Sequence, residues 1–148
     1  MRALGLAGPQ VTLRAGAPAV EAAAVLTRLE TSAALVVDAA GGFLDVVSDE
    51  DLLRRLLPSY VDEDDVLARV LDEESAGGYW RRLEGWSVVD LLPAERPERP
   101  VVDADATLVE VASVMVRAGV RLVAVVAEGR LVGGISMDHL LTHLVPRG

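Results

Sequence analysis

The sequence predicts an α/β fold of the α+β kind, built from two pseudo-twofold-related β-α-β-β-α repeats. Three observations carry that reading. The Val-rich run Leu122–Ala127 is continuous and ends at glycine, the signature of a short strand buried on both faces. Across a tight turn at Gly129, the run Arg130–Ser136 reads as its antiparallel partner. The first half then repeats this pattern: Leu35-Val36-Val37-Asp38, followed by Gly41 through Ser48. Internal repetition of this kind constrains every later inference.

The correspondences hold in identity and in spacing. Val20, Glu21, Ala23, Val25, Arg28, Val36 and Val37 recur 89 positions later as Val109, Glu110, Ala112, Val114, Arg117, Val125 and Val126. One residue drops out near Ala40. Gly41, Ser48, Leu52 and Leu53 then recur as Gly129, Ser136, Leu140 and Leu141.

In order along the chain, residues 1–10 are punctuated by Gly and Pro and are expected to form a loosely held lead-in. Val11-Thr12-Leu13 reads as a short strand. Pro18 suits the start of an Ala-rich helix running to Glu30, slim enough to pack closely on a sheet. The strand pair 34–38 and 43–47 follows. Ser48 is a favoured N-cap, and Asp49, Glu50 and Asp51 suit the positive end of the helix that runs on to Leu57 and stops at Pro58. Residues 58–87 form an acidic interlude. Within it Asp62-Glu63-Asp64-Asp65 opens an amphipathic helix, read as a solvated helix start rather than a cation site. Most of the scarce aromatics, including Trp80 and Trp86, lie in this interlude, as core cover or as a partner patch. Pro93–Pro100 is a stiff, extended connector. The second repeat then runs Val101-Val102, a helix over 109–117, the strand pair, and a last helix after Ser136. The terminal Leu144–Gly148 matches a thrombin-type cleavage sequence, while the repeat register independently accounts for Leu144-Val145-Pro146 opposite Leu56-Leu57-Pro58.

Composition narrows the function classes. Of 148 residues, 51% are hydrophobic and only 3% aromatic, so the core must be aliphatic. All the basic residues are arginine, a usage associated with GC-rich bacterial genomes. A net charge of −9 without a clustered basic face argues against nucleic acid or an anionic membrane as the main partner. The absence of cysteine excludes thiolate metal, redox and disulfide chemistry. No apolar run approaches the roughly 20 residues that span a bilayer. Gln10, Arg14 and Glu21 interrupt any leader-like core, so the expected location is the cytoplasm. With two histidines and no Gly-rich phosphate loop, the chain offers no catalytic constellation, and it reads as a non-enzyme that requires no cofactor.

The doubled blocks Val36-Val37-Asp38 with Gly42–Ser48, and Val125-Val126 with Gly129–Gly133 and Ser136, resemble the cystathionine-β-synthase (CBS) domain. The tandem is similar to a CBS pair, or Bateman module, with one repeat over 11–57, an insert over 58–87 and a second repeat over 88–145. That resemblance implies a regulatory module that binds AMP, ADP, ATP or S-adenosylmethionine between its repeats. It would report occupancy to an effector protein and commonly pair as a homodimer. It also implies a Gly-x-x-Ser/Thr-x-x-Asp pattern at each sheet-to-helix junction, whose carboxylate accepts hydrogen bonds from ribose hydroxyls. The chemistry is sound, since two carboxylate oxygens match a vicinal diol. Repeat one keeps Ser48 and Asp51 but carries Asp45 in place of the glycine. Repeat two keeps Gly133 and Ser136 but carries His139 in place of the carboxylate. Arg121 is the expected phosphate-contacting cation. The candidate ligand residues are therefore Ser48, Asp51, Arg121, Ser136 and His139. Against them stands a second reading, a ligand-free dimerisation scaffold with degenerate sites, in which both serines are simply helix N-caps.

Overall fold

Two three-stranded sheets form because each repeat places one fully apolar strand between two partners. The computed structural model describes residues 1–57 and 81–146; the 62–65 acidic run and Trp80 lie outside them. In the first repeat, β1 (Thr12–Arg14) runs parallel to β2 (Ala33–Val37), which pairs antiparallel with β3 (Phe43–Ser48). In the second, β4 (Val101–Asp103), β5 (Leu122–Ala127) and β6 (Arg130–Ser136) repeat that order. The register matches too: Leu13 faces Val36 and Val102 faces Val125, and a bulge follows Val36 in one hairpin and Val125 in the other. Each repeat adds a helix between its first two strands, α2 (Ala19–Arg28) or α4 (Leu108–Ala118). Each closes on another, α3 (Asp49–Leu56) or α5 (Met137–Leu144). The last two helices are of equal length, and Leu57 and Val145 cap them in the same register.

The central strands are apolar throughout because both of their faces are buried. On β2, Ala34 and Val36 point into the first repeat's own core, with Ala22, Ala23 and Leu26 of α2. Ala33 and Leu35 point the other way, and meet Leu122 and Ala124 of β5 in a shared cluster that includes Phe43 and Val46. On β5, Val123 and Val125 pack into the second repeat's core. The strand period of two thus divides each central strand between a private core and a joint one.

The lead-in over 1–10 is not loosely held. Ala3–Leu6 forms a short helix, α1, and Ala3 and Leu6 are buried in the core of the second repeat. The amides of Ala3 and Leu4 donate to Ala106 and Ala104, and Gly8 exchanges two 3.0 Å hydrogen bonds with Gly134 of β6. The converse occurs after the interlude. Val88–Leu91 forms a 3-10 turn whose Val88 and Leu91 bury into the core of the first repeat. Each repeat is therefore closed by a turn that the chain supplies from outside it. Burying a leucine in such a seat contributes about 2 kcal/mol, enough to hold a Gly- and Pro-rich segment in place.

The connector bends at Ala94, Pro97, Glu98 and Pro100 rather than running fully extended, and two arginines fasten it to β3. Arg99 Nη2 donates to the Phe43 carbonyl at 2.6 Å and its guanidinium lies over the Phe43 ring. Arg96 Nη2 donates to the Val46 carbonyl at 3.0 Å.

Candidate functional site

At the β3–α3 junction Ser48 and Asp51 satisfy each other's backbone. The Ser48 hydroxyl accepts the Asp51 amide at 3.1 Å, and Asp51 Oδ2 accepts the Ser48 amide at 2.9 Å, a complete capping box. Asp51 is 6% exposed, and its other oxygen accepts from Arg54 Nη1 at 3.2 Å. A carboxylate offers about four lone-pair positions, so these bonds leave acceptor capacity for a diol.

The junction opens on a cleft of about 280 Å³ that draws on both repeats. Ser48, Asp49, Glu50 and Asp51 form one wall and Gly119, Val120 and Arg121 another, with Glu95 and Arg96 of the connector also lining it. Three of the five sequence-derived residues, Ser48, Asp51 and Arg121, thus meet in one place although 70 positions separate Asp51 from Arg121. Arg121 reaches it from the turn before β5, where its carbonyl accepts the Met137 amide and its guanidinium lies 3.8 Å from Asp138.

Ser136 and His139 occupy the equivalent junction of the second repeat and do not line this cleft. The Ser136 hydroxyl accepts the His139 amide at 3.2 Å, so the N-cap survives. His139 cannot return a carboxylate to the Ser136 amide, and its ring instead meets His143 edge-on, with centroids 5.0 Å apart. One replacement therefore removes both the diol acceptor and half of the capping box.

The glycine position explains why the two junctions differ in shape. At Gly133 (φ +158°) a Cβ would stand 2.9 Å from the Gly8 carbonyl oxygen, and the lead-in zips directly onto Gly134. The first repeat has Asp45 there, with a negative φ. Its connector stays off the strand backbone and reaches it through a side chain instead. Arg96 Nε sits 2.8 Å from Asp45 Oδ1, with both side chains less than one-fifth exposed. Nε is buried without an aligned hydrogen bond, so this is a charge contact. Sequence reasoning noted Asp45 but missed Arg96; its one signal was an arginine inside a rigid Pro-rich connector.

Among the described residues no group of three or more His, Asp or Glu is placed to hold a metal ion, and no helix is long and apolar enough to cross a membrane. Trp86 is partly buried against the first repeat's core.

Comparison with known proteins places these features. A family model for the CBS domain matches residues 7–58 and 90–146. A CBS domain-containing protein of unknown function from Kribbella flavida has a similar crystal structure, with 36% identity over 99% of both chains and a TM-score of 0.83. The CBS domain of a membrane protein from Sphaerobacter thermophilus is 22% identical over 99% of this chain and 90% of that one, with a TM-score of 0.70. CBSX2 of Arabidopsis thaliana, solved in complex with AMP, is 19% identical over 97% of this chain and 95% of its own, with a TM-score of 0.66. Curated proteins give no match. With both repeats matched, in sequence and in strand order, the chain belongs to the CBS domain family as a tandem pair.

Proposed function

We propose that the chain is a non-catalytic regulatory module whose first-repeat cleft binds an adenine nucleotide or a related adenosyl ligand and relays occupancy to a partner protein. The observation that carries this reading is the convergence of Ser48, Asp51 and Arg121 on one cleft built from both repeats. Asp51 would take the ribose diol and Arg121 would meet the group beyond it. A ligand there would touch both halves, so binding could shift how they sit together, which is what a relay requires. The AMP complex of CBSX2 supports the ligand class, and in this reading the module works in the cytoplasm as a homodimer.

Calorimetry of the full chain against AMP, ADP, ATP and S-adenosylmethionine tests the reading. At least one should bind, and Asp51→Ala should abolish binding. Asp51→Asn keeps an acceptor for the Ser48 amide, and so separates a lost ligand contact from a lost helix cap. No heat from any of the four would refute the proposal.

A second reading, a ligand-free dimerisation scaffold, is favoured by Asp45 and His139, which depart from the family pattern at both junctions. Native mass spectrometry discriminates: a robust dimer carrying no small molecule supports the scaffold.

A further inference from the structure

We infer that the first-repeat cleft selects adenosyl ligands of neutral or positive charge over nucleoside polyphosphates, and that the Asp45–Arg96 pair sets this choice. The inference rests on the nucleotide-binding reading above and narrows its ligand class.

Among the described residues, every arginine bordering the cleft already faces a carboxylate. Arg96 Nε lies 2.8 Å from Asp45, Arg54 lies 3.2 Å from both Glu50 and Asp51, and Arg121 lies 3.8 Å from Asp138. Asp49 and Glu95 line the same cleft and have no cation partner among the described residues. Those three arginines thus stand among six acids, and the surplus is negative.

At the start of α3, three of the four amides are already bonded, all but that of Glu50. Free amides at a helix N-terminus commonly hold anions, yet here the Asp49 amide donates to the Ser32 carbonyl, the Asp51 amide to Ser48 Oγ, and the Ser48 amide to Asp51 Oδ2. Asp49, Glu50 and Asp51 already supply the negative charge that the helix dipole attracts. A diol can still share Asp51, and a cationic tail such as a sulfonium or an ammonium would meet Asp49 and Glu95. A triphosphate would enter against them.

Arg96 decides how strong the discrimination is. It is the most buried of the three cations, and Asp45, at the position where the second repeat has Gly133, neutralises it. Without that acid the cleft would hold a largely buried arginine facing whatever enters.

Titration calorimetry on the full chain with adenosine, S-adenosylmethionine, AMP and ATP tests this. ATP should bind on the order of tenfold more weakly than adenosine at low salt, as an excess of several like charges at cleft distances implies. S-adenosylmethionine should bind at least as tightly as adenosine, and the ATP deficit should shrink at about 0.5 M salt. Asp45→Asn should raise the ATP-to-adenosine affinity ratio at least threefold. The double variant Asp49→Asn/Glu95→Gln, confined to exposed side chains, should do the same even if Asp45→Asn folds poorly. ATP binding as tightly as adenosine to the native chain overturns the inference while leaving the nucleotide reading intact. An unmoved ratio in well-folded Asp45→Asn removes the pair from its role. If none of the four ligands binds, the nucleotide reading itself fails.

Discussion

Replacing Gly133 by alanine should loosen the lead-in from the second repeat. The new Cβ would stand 2.9 Å from the Gly8 carbonyl oxygen and 3.4 Å from the Gly8 carbonyl carbon and amide nitrogen. These are backbone atoms, and two 3.0 Å hydrogen bonds to Gly134 hold them, so no side-chain rotation relieves the clash. The φ of +158° adds strain for any L side chain. Overpacking of this kind costs about 1–3 kcal/mol, and a residue held in a glycine region about 1–3 kcal/mol. Because moving the lead-in relieves part of both, the expected loss is about 2–4 kcal/mol. For a chain of this size that lowers Tm by about 6–12 °C. Circular dichroism melts read the shift, and hydrogen exchange at the Gly8 amide shows whether the lead-in has opened. Gly16→Ala is the control: it is exposed and no atom lies within 4 Å of its added Cβ, so it should be neutral or slightly stabilising. A Gly133→Ala melt within about 2 °C of the native chain would refute the close-approach argument.

Other outcomes follow from the same geometry. Leu6→Ala and Leu91→Ala each empty a seat in the opposite repeat's core, so each should cost about 2–4 kcal/mol in urea unfolding. Either one leaving stability unchanged would show that its turn is not fixed. Glu128 takes φ +51° beside Gly129 at +77° in the two-residue β5–β6 turn, so Glu128→Asn should raise Tm by a degree or two. Ser48→Ala breaks a complete capping box and should cost about 1–2 kcal/mol, whereas Ser136→Ala removes a single cap bond and should cost about 1 kcal/mol or less. Equal losses in chemical denaturation would count against the asymmetry of the two junctions.

What the sequence made legible was what repeats. Identities at a constant spacing located both hairpins and their helices within a residue or two, because buried strands and N-caps leave local signatures. Ser48 and Asp51 could be named from the family pattern the sequence resembles, and Arg121 as the cation directly before the second repeat's strand. The turns that close each core were not legible. Ala3–Leu6 and Val88–Leu91 are only four residues long and fall below any periodicity window. They also stand 85 positions apart, whereas the helices and strands after them stand 89 and then 88 apart, so the register that reveals the repeat hides this part of it. Arg96 escaped because its partner, Asp45, is a tertiary neighbour about fifty positions away.

The exchanged turns have a consequence for how the chain acquires its shape. The lead-in belongs to the core of the second repeat: Arg2 donates to the Asp105 carbonyl across 103 residues. The first repeat, meanwhile, waits for Val88 and Leu91 before its own core is covered. Each core is thus completed by a segment that lies beyond its own repeat, and contacts at such separation close slowly. Severing the chain within the interlude should therefore yield two fragments that are each incomplete alone and recover native structure only when mixed.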